Sequence, residues 1–324
     1  MKAVIPVAGI GKRLRPHTFT IPKALLSVAG KPILGHIVDG LLEMGVTGLI
    51  PIIGYKGDLI RNYLTEAYDI PMNFVVQEEQ RGIAHAVSLT RRYADKSELI
   101  IILGDTIINT EFEKIPLAGE FILGVKEVDD PTRFGICKVE DGVITSIVEK
   151  PDEPAGNLAV VGLYYFRDSS PLFAACAELL DKDVMTKGEY QITDALQIMI
   201  ENGTQFRPYR IEGWYDCGKV ETLLETNRIL LSRIGKCNGR EGSIIIPPCY
   251  IDENSTIESS IIGPYVSIAS GCVIRHSIIE NSILNEGSDL THVNLKGSVV
   301  GSFAEVTGSR SSFNISDHSQ IDYR

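Results

Sequence analysis

The fold is decided near the start of the chain by the stretch KAVIPVAGIGKRLRP, residues 2–16. Its first half is mostly apolar and predicts a buried strand, and Gly9 and Gly11 predict a turn directly after it. Glycines in this position let backbone N–H groups approach a phosphate, and Arg13 and, further on, Lys23 add positive charge. The spacing matches neither GxxxxGK[ST] nor GxGxxG, which excludes two common nucleotide motifs. Taken alone, the stretch is equally compatible with a basic surface turn.

Strand and helix patterns alternate along the chain beyond this stretch. Apolar residues recur at helical spacing over 33–44 and 58–68, and residues 82–93 are helix-like as well. Apolar runs predict strands over 48–54, 73–77 and 98–103. Such alternation predicts a mainly parallel sheet with helical crossovers. Open sheets of this kind bind ligands beyond the carboxyl ends of their strands, and the glycine turn lies at such an end.

The middle of the chain has a different pattern. Residues 121–166 are rich in β patterns broken by turn signals, which predict hairpins along one side of a pocket. Helical patterns return over 172–180 and 191–202.

The chain changes character again after about residue 235. Short segments centred on isoleucine or valine follow one another, separated by glycine, serine and asparagine, with no helical period. This spacing predicts a parallel β-helix of hexapeptide repeats, whose inward aliphatic residues stack into a continuous core. The sequence therefore predicts two domains, 1–235 and 236–324. The recurring apolar residues are Ile251, Ile257, Ile262, Ile268, Ile274, Ile279, Leu284, Leu290, Leu295, Val300 and Val306.

Composition excludes several classes of protein. The 324-residue chain carries a formal net charge of −11, which argues against a surface that grips nucleic acid. Six cysteines are scattered without a CxxC pair, so neither a zinc site nor a disulfide framework is predicted. No apolar run approaches the ~20 residues that span a bilayer, and the amino-terminal stretch lacks the features of a signal peptide. We therefore expect a cytoplasmic protein with reduced thiols and neither a membrane nor a nucleic-acid partner.

A series of further motifs follows the glycine turn in a fixed order. Together with GxGxRLxPxT at residues 9–18, they resemble the sugar nucleotidylyltransferases over about residues 1–230. The motifs are Pro22-Lys23, Gln77-Glu78-Glu79 with Gly82-Ile83-Ala84-His85-Ala86, Leu103-Gly104-Asp105, Asp130-Pro131-Thr132-Arg133-Phe134-Gly135, Glu149-Lys150-Pro151, Gly188-Glu189 with Ile192-Thr193-Asp194, and Trp214-Tyr215-Asp216-Cys217-Gly218.

The resemblance implies the fold class. Within this family the likeness is greatest to the long form of the glucose-1-phosphate thymidylyltransferases, which carry a C-terminal left-handed β-helix. We therefore expect an α/β fold: a Rossmann-like nucleotidyltransferase domain with a mixed, mainly parallel sheet, followed by a left-handed parallel β-helix.

The resemblance also implies a role for each matching residue. Arg13 and Lys23 would hold phosphates as the catalytic cations, and Asp105 and Asp216 would hold Mg²⁺, a hard ion normally bound by one or two carboxylates with phosphates and waters. The nucleotide site would comprise Ala8, Gly9, Gly11, Gln77 and Gly82, with Gln77 and the Gly82 backbone reading the pyrimidine edge. The sugar-phosphate site would comprise Gly135, Glu149, Lys150, Val160 and Lys187, the last at a position that is commonly arginine in the family.

Several of these residues have a simpler structural interpretation. An aspartate at a strand end is often a turn or cap residue, which applies to Asp105 and Asp216 when each is taken alone. His85 lies in a predicted helix over the pocket and is interpreted as a structural or supporting residue rather than a general base. Trp214 is interpreted as a packing residue.

The implied reaction joins dTTP to glucose 1-phosphate, giving dTDP-glucose and pyrophosphate by an Mg²⁺-dependent in-line displacement. UTP is an open alternative, because uracil and thymine present almost the same hydrogen-bonding edge to Gln77. The β-helix could instead carry an acyltransferase activity, with His276 or His292, or the whole chain could be a binding protein without turnover. We also expect a homo-oligomer, because a β-helix must cover its ends.

Overall fold

The computed structural model describes residues 1–154, 156–235 and 239–309. Cys237 lies outside the described residues, and the predicted domain boundary at 235/236 lies at their edge. The chain divides into two compact units. The first comprises residues 1–26 and 31–223, and the second comprises residues 27–30 with those from 224 onwards. The units meet along the chain between Leu223 and Leu224, and the domain boundary after residue 235 stays a prediction.

The first unit is built on a mixed nine-stranded sheet in which the strands β10-β9-β11-β6-β1-β4-β5 lie side by side and β8 pairs with β11 and β12. β1 pairs in parallel with β4 and β6, and β4 with β5, whereas β11 runs antiparallel to β6, β8 and β9. The strands up to residue 216 are β1 (Lys2–Pro6), β2 (Ser27–Val28), β3 (Lys31–Pro32), β4 (Gly48–Ile53), β5 (Val75–Val76), β6 (Leu99–Ile102), β7 (Thr106–Asn109), β8 (Phe121–Glu127), β9 (Gly135–Glu140), β10 (Val143–Glu149), β11 (Leu158–Phe166), β12 (Arg207–Arg210) and β13 (Gly213–Asp216).

Helices connect the parallel strands and pack on the sheet. α3, α5 and α6 share one core with the strands, to which each contributes buried side chains such as Val87, Leu172 and Leu196. The α-helices are α1 (Ile33–Glu43), α2 (Gly57–Ala67), α3 (Ile83–Ser88), α4 (Arg91–Ala94), α5 (Ser170–Asp181), α6 (Ile192–Glu201) and α7 (Val220–Ile234). The predicted α/β fold with a mixed sheet and crossover helices is confirmed.

Two local predictions fare differently. The hairpin predicted within 121–166 is present as β9 and β10, joined by Asp141 and Gly142, both of which have positive φ angles as a tight two-residue loop requires. The single helix predicted over 82–93 is divided into α3 and α4. The division lies at Thr90, whose backbone N–H and hydroxyl both donate to the carbonyl of Val87 and so close a tighter turn than an α-helix allows.

The second unit contains a parallel β-helix. In its described part, twelve short strands form three sheets of four parallel strands, in the orders β14-β17-β20-β23, β15-β18-β21-β24 and β16-β19-β22-β25. Each strand pairs with the strand three places further along the chain, so three consecutive strands make one coil. The strands are β14 (Ile244–Ile245), β15 (Cys249–Ile251), β16 (Thr256–Glu258), β17 (Ile261–Ile262), β18 (Val266–Ile268), β19 (Val273–Arg275), β20 (Ile278–Glu280), β21 (Ile283–Leu284), β22 (Asp289–Thr291), β23 (Asn294–Lys296), β24 (Val299–Val300) and β25 (Glu305–Thr307).

The recurring apolar residues of the sequence line the inside of these coils. Most are fully buried in one continuous core, while Ile251, Leu295 and Val306 are partly buried against it. The predicted β-helix is therefore confirmed, and its left-handed sense stays a prediction.

Outside the core, the rings of His276 and His292 stack on each other in successive turns, with centroids 4.9 Å apart. None of the helices in the described part of the chain is both long and apolar enough to cross a bilayer.

One pair of isoleucines tests the stacked core. Ile274 on β19 is 0% exposed, whereas Ile278 on β20, the next strand, is 48% exposed. Ile274→Ala is expected to lower the free energy of unfolding of the β-helix by about 2–5 kcal/mol, because it leaves a cavity in the stack. Ile278→Ala is expected to change it by less than about 0.5 kcal/mol. Urea unfolding followed by circular dichroism measures both, and equal losses would contradict the assignment of the core.

Candidate active site

A glycine and a threonine determine the path of the loop after β1. Gly11 has a left-handed backbone with φ 69°, and a Cβ at this position would lie 3.0 Å from the Cβ of Lys23. The buried hydroxyl of Thr18 donates to the Gly11 carbonyl at 2.9 Å. The loop therefore keeps a fixed path at the end of the strand.

A cavity of about 410 Å³ opens at this loop. Its walls come from the segments that follow β1, β5 and β6, whose carboxyl ends lie at the same edge of the sheet because these strands belong to one parallel set. All five residues predicted for the nucleotide line it, together with both predicted cations. These residues are Ala8, Gly9, Gly11, Gln77, Gly82, Arg13 and Lys23.

The far wall of this first cavity is the loop that leads into α3. Gly82 has a φ of 110°, and a Cβ there would overlap the backbone carbonyl of Tyr190. Only glycine fits so close to another backbone. The Gln77 amide nitrogen lies 3.2 Å from the Gly82 carbonyl and 3.3 Å from His85 Nδ1. Burial and the charge of Arg81 lower the pKa of His85, so its ring is neutral near pH 7.

A second cavity of about 680 Å³ lies beside the first. It is lined by four of the five residues predicted for the sugar phosphate, namely Gly135, Glu149, Lys150 and Val160. The Glu149 side chain is 9% exposed and lies 3.3 Å from Lys150 Nζ, and its second oxygen accepts a hydrogen bond from the Thr193 hydroxyl at 2.8 Å. This carboxylate is thus fixed in one orientation with its charge partly balanced.

An aromatic pair closes one side of the second cavity. The rings of Phe134 and Trp214 meet edge to face with centroids 4.9 Å apart, and both residues line the cavity. The contact supports the interpretation of Trp214 as a packing residue. Nearby, the pKa of Tyr164 is raised above its usual value by burial first, and then by the charges of Glu149 and Asp105. Tyr164 therefore stays a neutral phenol in this wall.

The two cavities adjoin at charged residues. Arg13, Asp105 and Glu189 line both of them. Lys23 Nζ lies 3.2 Å from a carboxylate oxygen of Asp105, and the lysine side chain is only 12% exposed. The boundary between the cavities therefore holds cations and carboxylates within a few ångströms of one another.

The second aspartate reaches this boundary through strand pairing. β7 and β13 are antiparallel, with Thr106 opposite Asp216, and the Cys217 N–H donates to the Asp105 carbonyl at 3.2 Å. The Gly218 N–H donates to an Asp216 carboxylate oxygen at 2.8 Å. A Cβ on Gly218 would lie 2.8 Å from that oxygen and 2.9 Å from an Arg13 nitrogen, so the guanidinium and the carboxylate converge on this glycine.

The residues present fit a magnesium ion. Among the described residues there is no group of three or more histidine, cysteine and acidic side chains that could hold a metal. Two aspartates on neighbouring segments instead offer hard oxygen ligands, which suits Mg²⁺ because it usually takes few protein ligands and completes its shell with phosphates and waters. The hydroxyl oxygen of Thr106, beside Asp105 in the chain, is buried without a hydrogen-bond partner, which marks this spot as polar.

One predicted residue lies apart from both cavities. The exposed Lys187 lines neither of them, and its Nζ lies 3.1 Å from a carboxylate oxygen of the exposed Asp152. Its predicted role at the sugar phosphate stays a prediction.

Three residues at the site carry no role in the sequence motifs. Glu189 belongs to a motif without an implied function, and it lines both cavities. The amide of Gln80 donates to the Ala8 carbonyl at 2.9 Å and ties the two loops of the first cavity together. Thr18 is visible in the sequence only as the last letter of the first motif, and its hydrogen bond to Gly11 explains why a hydroxyl stands there.

The sequence matches the family model described as nucleotidyl transferase over residues 2–233. Glucose-1-phosphate thymidylyltransferase of Streptomyces antibioticus is 30% identical, with 99% of each chain aligned. The UTP–glucose-1-phosphate uridylyltransferase AglF of Haloferax volcanii is 34% identical over 71% of this chain and 96% of its own.

A solved structure of a UDP-glucose pyrophosphorylase complexed with UDP-glucose superposes with a TM-score of 0.63. The alignment covers 72% of this chain and 98% of that protein at 24% identity, and it supports the same fold. With the family match across nearly all of the first unit, the chain belongs to the nucleotidyl transferase family and is a sugar nucleotidyltransferase, an enzyme that acts on a nucleoside triphosphate and a sugar 1-phosphate.

Proposed function

We propose that this enzyme joins dTTP to glucose 1-phosphate and releases pyrophosphate, with Mg²⁺ as its cofactor. The observation that carries the proposal is the pair of adjoining cavities that share Arg13 and Asp105. One has the glycine loop and a base-reading amide, and the other has a fixed carboxylate and a lysine suited to a phosphorylated sugar. The full-length similarity to a thymidylyltransferase supports dTTP as the nucleotide.

UTP is a second candidate for the same site. The similarity to a uridylyltransferase supports it, and Gln77 offers the same hydrogen bonds to uracil as to thymine. Both pyrimidines carry an N–H between two carbonyl oxygens, so only contacts with the methyl group and the ribose distinguish them.

The first cavity binds and orients the triphosphate in this proposal. The glycine loop brings backbone N–H groups close to the phosphates, and Arg13 and Lys23 balance their charge. Lys23 then exchanges part of its ion pair with Asp105 for a phosphate oxygen. Asp105 and Asp216 would hold Mg²⁺, which supplies further charge neutralisation to the triphosphate and to the departing pyrophosphate.

The second cavity presents the sugar phosphate to the first. Glu149 accepts hydrogen bonds from sugar hydroxyls, and Lys150 attracts the phosphate. An oxygen of this phosphate attacks the α-phosphorus in line, the α–β bridging bond breaks, and pyrophosphate leaves. Because the attacking oxygen is already ionised at neutral pH, no general base is needed, and catalysis consists of positioning and charge stabilisation.

Several further expectations from the sequence remain proposals. A cytoplasmic location and a homo-oligomer agree with the composition and with the open ends of a β-helix. An acyltransferase activity at His276 or His292, whose rings stack on each other in the β-helix, stays the alternative that the sequence left open. The domain limits 1–235 and 236–324 also remain as predicted.

The direct test is a substrate panel. The purified chain is incubated with Mg²⁺, glucose 1-phosphate and each of dTTP, UTP, CTP, ATP and GTP, and pyrophosphate release is measured. We expect turnover with dTTP, with or without UTP, that requires both substrates and stops when EDTA removes the metal. Turnover only with purine nucleotides, or none with any nucleotide, would refute the proposal.

A matched pair of arginines tests the shared boundary. Arg13 lines both cavities, whereas Arg15 lies in the same loop with its guanidinium over the Phe19 ring. Arg13→Ala is expected to lower kcat by about 10²–10³-fold, because a charge-stabilising donor is lost. Arg15→Ala should keep most of the activity, and neither change should shift Tm by more than a few degrees. Equal activity of the two variants would rule out the role of Arg13.

The orientation of Glu149 tests the sugar site. Thr193→Val keeps the shape of the side chain but removes the hydroxyl that donates to Glu149. We expect KM for glucose 1-phosphate to rise by about tenfold or more, in line with the loss of one hydrogen bond to a charged group. KM for the nucleotide should stay the same. A change in nucleotide KM alone would contradict the assignment of the second cavity.

A further inference from the structure

The orientation of the Gln77 amide is determined by its surroundings. The Gln77 side chain is 7% exposed and lines the first cavity. One end of the amide lies 3.2 Å from the Gly82 carbonyl oxygen, which can only accept hydrogen bonds. That end must therefore be the NH₂ group, and the usual ambiguity of amide orientation is removed by chemistry.

The second hydrogen of this NH₂ group determines the state of His85. His85 Nδ1 lies 3.3 Å from the same nitrogen. Because an NH₂ group only donates, Nδ1 must carry a lone pair and Nε2 the proton. The lowered pKa of His85 agrees with a neutral ring: burial and the charge of Arg81 lower it, and Glu79 partly opposes them.

The carbonyl end of Gln77 is left for a ligand. Within the described residues, no hydrogen bond reaches Gln77 Oε1. The Gly82 carbonyl is already used by the Ala86 N–H at 3.1 Å as well as by Gln77, so it cannot serve the ligand. The base in this cavity therefore meets an acceptor from Gln77.

We propose that His85 is a positioning residue for base selection, which holds Gln77 with its carbonyl toward the base and so favours uracil and thymine over cytosine. The inference rests on the proposed pyrimidine site. Uracil and thymine carry an N3–H donor, which a carbonyl oxygen accepts. Cytosine carries a lone pair at N3 and an amino group beside it, so the same oxygen opposes its N3. A reversed amide would have the opposite preference.

A purely structural role for His85 makes a different prediction. The contacts of its backbone carbonyl with Ser88 and Leu89 persist in any variant. A side chain that only fills space would affect stability, or the rates with all nucleotides alike. Base discrimination is therefore the quantity that separates the two roles.

The test compares two variants of the full-length enzyme. Asn presents an acceptor near the position of Nδ1, whereas Leu presents none. His85→Leu is expected to raise KM for UTP and dTTP with less effect on kcat, and to lower the ratio of kcat/KM for UTP over CTP by about tenfold. His85→Asn should keep this ratio within about twofold of the wild type. An unchanged ratio in His85→Leu, or an equal loss in both variants, would overturn the proposal.

A pH series gives an independent measurement. Protonation turns Nδ1 into a donor that faces the Gln77 NH₂ group. Because the pKa of His85 is lowered, the preference for UTP over CTP should fall only at a pH below the usual histidine range. Arg81 and Glu79 are the charged groups that act on His85. Ionisation of the triphosphate affects both nucleotides and cancels in the ratio. The His85→Asn variant should show no such fall, and a parallel fall in it would count against His85.

Failure of the inference can be told apart from failure of the proposed function. If the wild type turns over no pyrimidine nucleotide, the proposed function is wrong. Calorimetric titration of UTP and of CTP into the wild type and the variants then measures the base preference without catalysis. A wild type that binds both nucleotides equally would overturn the role of His85 on its own.

Discussion

Parallel pairing of the strands around β1 is the constraint on which the active site depends. β1 lies between β4 and β6 and runs parallel to both. Parallel strands cannot be joined by tight turns, so helices must carry the chain back to the start of the sheet. The segments that leave the carboxyl ends of these strands are consequently collected at one edge. Gly9, Gln77 and Asp105, which are distant in sequence, follow β1, β5 and β6 and meet there for this reason.

Charge is the second constraint, because a chain with a net charge of −11 has to bind two polyanions. The site provides its positive charge locally, through lysines that form ion pairs: Lys23 is paired with Asp105, and Lys150 with Glu149. Pairing lowers the cost of keeping these side chains partly buried while no substrate is bound. It also means that a phosphate competes with a carboxylate for each lysine. The positive charges of these lysines are therefore balanced before a substrate binds. The cavities then favour anions that also accept hydrogen bonds from the neighbouring backbone N–H groups.

The sequence was informative where its signal is periodic or local. The five-to-six-residue spacing identified inward residues such as Ile274 and Leu284, because each coil repeats the same environment. Helical spacing located α1 and α2 to within a residue or two. The motifs named most of the residues that line the two cavities, since each motif is a short segment with its own turn chemistry. What the sequence missed depends on contacts between distant segments. Residues 27–30 belong to the second compact unit, where the Ala29 N–H donates to the buried Asn227 side chain. No sequence pattern within these four residues predicts such a contact. The ion pair of Lys187 with Asp152 is likewise a contact between distant segments, and the role of Lys187 at the sugar phosphate stays a prediction.

The contact between Gly82 and Tyr190 links the first cavity to the second. The Ala84 N–H donates to the Tyr190 carbonyl at 3.0 Å, and the Tyr190 N–H donates to the Arg81 carbonyl at 2.9 Å, so these two backbone bonds bracket Gly82. The residues on either side of Tyr190 in the chain, Glu189 and Gln191, line the second cavity. The backbone that fixes the Gly82 carbonyl, and through it Gln77, is therefore the same backbone that forms part of the wall of the second cavity. Because a glycine is required at this crossing, any side chain at position 82 would separate the two walls and disturb both cavities at once.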